Sequence, residues 1–257
     1  MSGDSSARRG PTSRMRRTPE PARGARRPLR VGGLTALSTT DYPGQLSAVV
    51  FCQGCPWRCG YCHNPHLLPA RGSHEIAWSD VLSFLDRRRG LLDAVVFSGG
   101  EPLAQAGLAE AMSTVRRMGF RVGLHTAGGY PSRLAEVLAL VDWVGFDVKA
   151  PFAEYTRITT VRGSGDRALE SAKLLLDSDV TYEFRTTVHP HQHDPHALER
   201  LAEQLAELGT RNYVLQEFRA DGCANDALLR NAPASFLTEP WCAKIAPKFE
   251  SFAVRRA

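Results

Sequence analysis

The chain has 257 residues, 43% of them hydrophobic, and a formal net charge of +5. This length suits one domain of roughly 200–250 residues with a sizeable core. The sequence contains no uncharged apolar run of about 18 residues and no apolar N-terminal segment of the signal-peptide type, which argues against membrane-spanning and secreted classes. Six cysteines, four of them clustered, do not resemble a secreted disulfide framework, so we expect a cytoplasmic protein.

The positive charge is concentrated in the first 30 residues, which hold nine arginines against Asp4 and Glu20, so the remaining chain is slightly acidic. A segment rich in Arg, Pro, Ser and Gly cannot bury enough apolar surface to fold. We therefore predict a disordered basic tail over residues 1–28 and a single folded domain over residues 29–257. A basic tail is also a potential contact for nucleic acid or an acidic partner. The disordered extension is the simpler interpretation, and we expect no binding to nucleic acid or membrane.

From residue 29 onward, short apolar runs alternate with segments of helical periodicity. Strands are predicted over residues 47–51, 94–98, 121–125, 143–148, 182–188 and 213–218, with a weaker strand over 250–255. Helices are predicted over residues 79–89, 103–118, 131–140, 166–177, 195–208 and 238–245. Ser79 and Asp80 are predicted as the cap and the first-turn acid of the first helix. This alternation predicts an α/β fold with right-handed crossovers and a parallel sheet, either an open six-unit barrel or a doubly wound sheet.

Notable polar residues follow these strands where each one ends. In both candidate folds, ligands gather at the carboxyl ends of the strands. In the order of the strands, they are four cysteines between Cys52 and Cys62, the run Gly99-Gly100-Glu101-Pro102, His125 with Thr126, Asp147 with Lys149, and Arg185 with His189. We therefore expect them to form one site at one edge of the sheet.

The cysteine loop is the strongest signal in the sequence. Cys52, Cys55, Cys59 and Cys62 fall within eleven residues. Two C-x2-C steps would suit a zinc site, but structural zinc pairs usually sit further apart than these. Read as C-x3-C-x2-C, the last three cysteines offer three thiolates from one tight loop, and thiolates are the ligands of iron–sulfur clusters. Cys52 then remains as a small apolar residue packed at a strand end.

The C-x3-C-x2-C loop, with Tyr61 just before the last cysteine, resembles that of the radical S-adenosylmethionine enzymes. The resemblance implies that Cys55, Cys59 and Cys62 bind a [4Fe-4S] cluster. The fourth iron would chelate S-adenosylmethionine (SAM). It also implies an open six-unit (β/α) partial TIM barrel as the fold.

The same resemblance implies a set of SAM contacts. The G-G-E-P run would accept hydrogen bonds from the methionyl amine, with Glu101 holding the loop as the alternative. The segment Asp147-Val148-Lys149 would reach the ribose and the methionyl carboxylate. A surface ion pair between Asp147 and Lys149 is the simpler interpretation. Arg185 would pair with that carboxylate, and His189 is the best candidate among loop histidines that are otherwise expected to be solvated. The implied cofactor-binding residues are Tyr61, Cys62, His63, Gly99, Gly100, Glu101, Thr126, Asp147, Val148, Lys149, Arg185 and His189.

A longer set of motifs is more specific. The run T-D-Y-P-G begins at Thr40, residues 51–65 read F-C-Q-G-C-P-W-R-C-G-Y-C-H-N-P, and residues 147–151 read D-V-K-A-P. Over residues 30–220 the chain resembles the activating enzymes of glycyl-radical enzymes, most closely the type that activates anaerobic ribonucleoside-triphosphate reductase. This implies SAM cleavage to a 5'-deoxyadenosyl radical, a glycyl radical on that partner, and a flavodoxin or ferredoxin as electron donor.

The chain also departs from its relatives. Where they commonly read D-T-N-G, residues 125–128 read H-T-A-G, which argues against a monovalent cation site there. Residues 216–219 read Q-E-F-R where several relatives carry a histidine. Two alternatives remain open. One is a radical SAM enzyme acting on a small molecule, of the 7-carboxy-7-deazaguanine synthase type, and the other is a zinc-stabilised binding module.

Overall fold

The computed structural model describes residues 28–230 and 235–256. The predicted basic tail, Pro28 apart, lies outside the described residues. Within these described residues, eight strands form one sheet in sequence order, from β1 at one edge to β8 at the other. The strands are β1 Val31–Ser38, β2 Ser47–Cys52, β3 Ala94–Gly99, β4 Arg121–Thr126, β5 Trp143–Asp147, β6 Thr181–Val188, β7 Asn212–Glu217 and β8 Ser251–Arg255. Neighbours from β2 to β8 pair in parallel, and β1 pairs antiparallel with β2.

Helices connect the parallel strands. They are α1 Trp78–Asp86, α2 Leu108–Arg117, α3 Pro131–Val137, α4 Tyr155–Thr159, α5 Ser164–Leu176, α6 Pro195–Glu207, α7 Asp226–Leu229 and α8 Glu239–Ile245. Each strand from β2 to β7 is followed by at least one helix, so the predicted six β/α units are confirmed. No pairing joins β1 to β8 in the part of the chain that the structure describes. The sheet is therefore an open partial barrel.

Strand β1 was not predicted. Its sequence V-G-G-L-T-A-L-S begins with two glycines after Val31, and most of its residues are half-buried or exposed, so it lacks the apolar alternation of a half-buried strand. It forms because β2 offers an unpaired edge. The run from Thr40 to Gly44 follows β1, and it packs against β4 and β5 through Tyr42, which stacks on Trp143, and the carbonyl of Asp41, which lies 2.8 Å from His125 Nε2.

Several predicted helix boundaries were wrong for local reasons. Helix α1 begins at Trp78 after Ala77, which makes no side-chain cap, so Ser79 is not the cap, whereas Asp80 does lie in the first turn. The predicted helix over 103–118 is divided into a short 3-10 turn, Pro102–Ala104, and α2. Gly107 lies directly before α2.

The core lies between the sheet and the helices. The largest fully buried side chains include Phe97 on β3, Phe146 on β5, Phe184 on β6 and Tyr213 on β7. The rings of Phe146 and Phe184 meet edge to face with centroids 5.1 Å apart. Among the described residues, no helix combines the length and apolarity needed to cross a bilayer.

Candidate active site

The cysteine loop joins β2 to α1 at the carboxyl end of the sheet. Cys55, Cys59 and Cys62 are half-buried and line one cavity of about 150 Å³. Backbone hydrogen bonds stabilise the loop: Gly54 N donates to Leu67 O (2.7 Å), and Cys62 N donates to Cys59 O (3.1 Å). Three thiols therefore face a common space without any contribution from Cys52.

The chemistry of these thiols suits a cluster that forms with loss of protons. Burial raises the pKa of Cys55 to about 12 and also raises the pKa of Cys59. A metal or cluster must therefore displace protons from these sulfurs on binding. In the described part of the chain, no three His, Cys, Asp or Glu side chains lie close enough together to ligate a single metal ion. The cluster ligands accordingly remain a prediction.

Cys52 is separate from the other three cysteines. It ends β2, is fully buried in the core and does not line the cavity. Burial raises the pKa of its thiol far above the ordinary range. Its packing matches the interpretation of Cys52 as a small apolar residue at a strand end.

The glycines of the G-G-E-P run are required by the backbone of the neighbouring strand. Gly99 has φ +114°, and a Cβ there would lie 2.3 Å from the backbone nitrogen of Cys52. A Cβ on Gly100 would lie 2.4 Å from the carbonyl oxygen of Gly54. The close approach lets Gly100 N donate to Cys52 O and Glu101 N donate to Gly54 O, each at 2.9 Å. These bonds lock the turn after β3 against the start of the cysteine loop.

Glu101 holds two strand ends together. Its carboxylate is 3% exposed and accepts hydrogen bonds from Thr126 Oγ1 (2.8 Å), Ala127 N (3.0 Å) and Leu103 N (3.1 Å). The turn after β3 is thereby joined to the end of β4. This geometry supports the predicted loop-holding role, although the side chain also lines the cavity.

Asp147 and Lys149 both line the cavity from the end of β5, as expected for residues two positions apart on a strand. Burial opposes ionisation of Asp147, but the guanidinium of Arg185 holds its pKa below the ordinary value. Burial alone would lower the pKa of Lys149, but the acidic groups around it, with Tyr61 and Cys59 the strongest, raise it well above its ordinary value. The Lys149 ammonium lies 5.8 Å from the centre of the Tyr61 ring. The cavity thus holds one fixed cation beside the predicted cluster loop.

Arg185 lies over β5 and does not line the cysteine cavity. Its Nε donates to Asp147 Oδ1 (2.9 Å), its Nη2 donates to Gly145 O (3.3 Å), and its Nη1 lies 3.2 Å from His125 Nε2. A Cβ on Gly145 would lie 2.7 Å from the guanidinium carbon. Arg185 therefore neutralises Asp147 from within the protein and also lines a larger cavity beside the first, so its contact with SAM stays a prediction.

Two polar atoms in the cavity wall lack a partner. Trp57 Nε1 and Tyr61 OH are buried, and neither has a hydrogen-bond partner in the described structure. Both residues line the cysteine cavity. Buried polar groups are normally satisfied, and these two unpaired donors belong to side chains of the cavity lining. The sulfur donors and these two atoms fit a cluster with a polar cofactor beside it.

Two predicted contacts lie elsewhere. Val148 is buried in the core, and His189 lines neither the cysteine cavity nor the larger cavity beside it. The His189 ring is buried, with Nδ1 accepting from His191 N (3.1 Å) and Nε2 3.1 Å from Leu228 O. His193 is also buried, and it lies 2.8 Å from Lys149 O. The expectation of solvated loop histidines was therefore wrong for His189 and His193.

Sequence reasoning missed six residues that line the cysteine cavity. These are Trp57, Asn64, Leu68, Ser98, Ala127 and Thr187. Trp57 lies inside the C-x3-C spacing, and Ser98 and Thr187 lie near the ends of strands that were predicted, so position along each strand was a usable signal. His125 was noted only as a strand end. It is 10% exposed, and burial with the nearby Arg185 lowers its pKa to about 4.

A larger cavity of about 700 Å³ adjoins the first and shares His63, His125, Asp147 and Thr187 with it. Its far side includes Asp41 from the T-D-Y-P-G run. The carbonyl of Asp41 lies 2.8 Å from His125 Nε2. The cysteine cavity therefore opens into a space large enough for a second molecule.

Comparisons with known proteins agree with this geometry. Residues 49–214 match the model of the radical SAM superfamily. A protein of Methanocaldococcus jannaschii, named provisionally as a glycyl-radical enzyme activating enzyme, is 32% identical over 195 residues, covering 73% of this chain and 79% of that protein. The pyruvate formate-lyase 1-activating enzyme of Escherichia coli K12 is 30% identical over 189 residues, covering 70% of this chain and 76% of that enzyme.

Solved structures show the same fold at low identity. SuiB of Streptococcus suis, bound to its precursor peptide SuiA, aligns with TM-score 0.61 and 12% identity over 80% of this chain. The chain spans about half of SuiB, 48% of its length. QueE of Escherichia coli aligns with TM-score 0.50 and 17% identity, covering 79% of this chain and 91% of that one. On these matches the chain belongs to the radical SAM superfamily, among the activating enzymes of glycyl-radical enzymes.

Proposed function

We propose that this chain holds a [4Fe-4S] cluster on Cys55, Cys59 and Cys62, cleaves SAM reductively and generates a glycyl radical on a partner enzyme. The observation that carries the proposal is the shared cavity. Three cysteines line one space at the carboxyl ends of the strands together with Trp57 and Tyr61, whose Nε1 and OH have no hydrogen-bond partner in the described structure. When bound, the cluster supplies one electron, and SAM supplies the radical that abstracts hydrogen.

The chain's own residues shape and shield the site. Glu101 fixes the turn after β3, so the Gly99-Gly100 backbone faces the cavity in one conformation. Lys149 provides a fixed positive charge for a carboxylate ligand, since its ammonium has no hydrogen-bonded acid among the described residues. Trp57 is 2% exposed and Tyr61 is 4% exposed, and their rings exclude water from the inner wall. A water-poor site protects reactive species from side reactions.

The partner is proposed to be an anaerobic ribonucleoside-triphosphate reductase, on the resemblance of the T-D-Y-P-G and F-C-Q-G-C-P-W-R-C-G-Y-C-H-N-P runs to that type. The 700 Å³ cavity beside the cysteine loop supports a protein substrate, because a glycine-bearing segment needs open access. A flavodoxin or ferredoxin is proposed as the electron donor. Relatives named as pyruvate formate-lyase activators make that lyase the comparison partner.

The test uses the full chain, reconstituted anaerobically with iron and sulfide. We expect 5'-deoxyadenosine when SAM and dithionite are added, and a glycyl-radical signal by electron spin resonance when the reductase is also present. Pyruvate formate-lyase run in parallel measures partner preference. A protein that binds one zinc ion and cleaves no SAM would exclude the proposed activity, and a stronger radical signal on the lyase would reassign the partner.

A further inference from the structure

The backbone at Lys149 lies just beyond the end of a strand. Strand β5 ends at Asp147, and its pairing with β6 ends there as well. One more bond of the same kind follows, from Val148 N to Arg185 O (2.8 Å). Beyond it the sheet offers no partner to the carbonyl of Val148 or to the amide and carbonyl of Lys149. Backbone polar groups need partners, so other parts of the chain must supply them.

Three buried side chains supply these partners. Thr186 Oγ1 donates to Val148 O (2.8 Å) from the neighbouring strand β6. Tyr155, the first residue of α4, accepts from Lys149 N at its hydroxyl (3.1 Å). His193, in the loop before α6, places Nε2 2.8 Å from Lys149 O. The peptide groups on both sides of Lys149 are therefore held by side chains that are at most 2% exposed.

The hydrogen on the His193 ring is assigned by its neighbours. Nδ1 accepts a hydrogen bond from His189 N (3.2 Å), so in the neutral ring the hydrogen is on Nε2. Burial lowers the pKa of this ring to about 4, which keeps it neutral near pH 7. Nε2 therefore donates to Lys149 O.

The rings of Tyr155 and His193 also pack on the cysteine loop. Tyr155 meets Trp57 edge to face with centroids 5.9 Å apart, and the His193 ring centre lies 5.9 Å from that of Tyr61. Trp57, Tyr61 and Lys149 all line the cysteine cavity, whereas Tyr155 and His193 do not. The two buried rings thus join the end of β5 to the cysteine loop from outside the cavity.

We infer that Tyr155 and His193 are positioning residues, which hold the Lys149 ammonium in the cavity wall where it meets the carboxylate of SAM. The inference rests on the proposed function for the identity of that ligand. A lysine side chain is a flexible stem, so the place of its ammonium depends on how firmly its backbone is held. A binding group displaced by about 1 Å loses much of its effect.

The first measurement needs no cofactor. The chain has only four lysines, so acetylation of each one in the full chain can be followed by mass spectrometry after brief treatment with acetic anhydride. They are Lys149, Lys173, Lys244 and Lys248. Relative to the exposed Lys173, the half-buried Lys149 is expected to react about fivefold faster in Tyr155→Phe and in His193→Leu than in the wild type, because each variant loses one backbone bond. His193→Gln, whose amide can still donate to Lys149 O, is expected to react at the wild-type rate.

The second measurement is SAM binding by calorimetry. The protein carries a reconstituted cluster that is left oxidised, so that no SAM is cleaved during the titration. Tyr155→Phe and His193→Leu are each expected to bind SAM about fivefold more weakly than the wild type, with unchanged iron content. His193→Gln is expected to bind SAM with the affinity of the wild type.

The matched control is Tyr182→Phe. The hydroxyl of Tyr182 also accepts from a backbone amide, Arg211 N at 3.2 Å, but Tyr182 lies at the amino end of β6. This variant is expected to leave both Lys149 acetylation and SAM affinity at the wild-type values. Tyr155→Phe keeps its ring against Trp57, so it decides the question even where His193→Leu fails to fold.

The inference would be overturned by wild-type acetylation of Lys149 in Tyr155→Phe, by an equal change in Tyr182→Phe, or by a His193→Gln variant that behaves like His193→Leu. Faster acetylation with unchanged SAM affinity would also overturn it. A wild-type protein that carries the cluster and binds no SAM would contradict the proposed function instead, while acetylation would still show whether Tyr155 and His193 hold Lys149 in place.

Discussion

The turn after β3 offers a sharp test of how the site is built. Gly99→Ala introduces a Cβ at φ +114° and places it 2.3 Å from Cys52 N and 2.6 Å from Cys52 O. Both contacts are backbone atoms of β2, which cannot rotate away as a side chain would. The variant must therefore separate the ends of β2 and β3.

The expected cost follows from the bonds at that junction. A non-glycine residue held in this backbone region costs about 1–3 kcal/mol. Separation weakens the bonds from Gly100 N to Cys52 O and from Glu101 N to Gly54 O, each worth about 0.5–1.5 kcal/mol. Together these give a loss of about 2–6 kcal/mol in the free energy of unfolding, which for a domain of this size lowers the melting temperature by roughly 4–24 °C. Because Cys55 follows Cys52 by three residues, SAM binding is expected to fall as well.

The assay is thermal unfolding of the cofactor-free protein by circular dichroism, followed by SAM titration of the reconstituted protein. Gly119→Ala is the matched control, since Gly119 has φ +94° and no atom lies within 4 Å of the place that its Cβ would occupy. Gly119→Ala therefore has the conformational cost of a positive φ but no steric clash. If Gly99→Ala lowers the melting temperature no more than Gly119→Ala does, the close approach of β2 and β3 does not stabilise the site and the reasoning is refuted.

Three further predictions concern single side chains. Tyr61→Phe removes a buried hydroxyl that has no hydrogen-bond partner in the described structure. Calorimetry should therefore show weaker SAM binding, while the cofactor-free protein unfolds at or slightly above the wild-type temperature. Lower stability with unchanged SAM binding would contradict this prediction. Cys52→Ala should retain the full iron content at a cost of about 1 kcal/mol in stability, whereas Cys55→Ala should lose the cluster, as iron analysis and absorbance will show. Burial lowers the pKa of His193 to about 4, so the unfolded chain takes up a proton first and stability falls as the pH drops from about 6.5 toward 4. Over this pH range, the free energy of unfolding of His193→Asn should fall by about 3 kcal/mol less than that of the wild type, as denaturation curves will show. If both proteins show the same pH profile, His193 is not the group responsible.

The sequence was most informative where function and local spacing coincide. The cysteine spacing and the strand-end motifs were visible without a structure, and Cys55, Gly99, Glu101 and Lys149 do line one cavity. Why position 99 must be glycine could not be predicted, because the requirement comes from the backbone of β2, which is distant in sequence.

Other features depended on packing that no local pattern carries. The ion pair of Arg185 with Asp147 was not predicted, because it depends on β5 and β6 lying side by side. His193 was expected in solvent because its loop is polar and contains prolines, yet the ring is buried and lies 2.8 Å from Lys149 O. Strand β1 carries little apolar alternation and forms because a neighbouring edge is available.

The strictly sequential order of the sheet has a consequence for how the protein is made. Every pairing joins neighbours along the chain, so the sheet can extend strand by strand as the polypeptide leaves the ribosome. The cysteines emerge early, on the connection after β2, whereas Phe218 and Asn225, which fasten the outside of that loop, emerge after β7. During synthesis the outer side of the cysteine loop is therefore uncovered until the segment after β7 arrives. Cluster insertion into a nearly finished chain would meet an open loop, and completion of the chain would then close it.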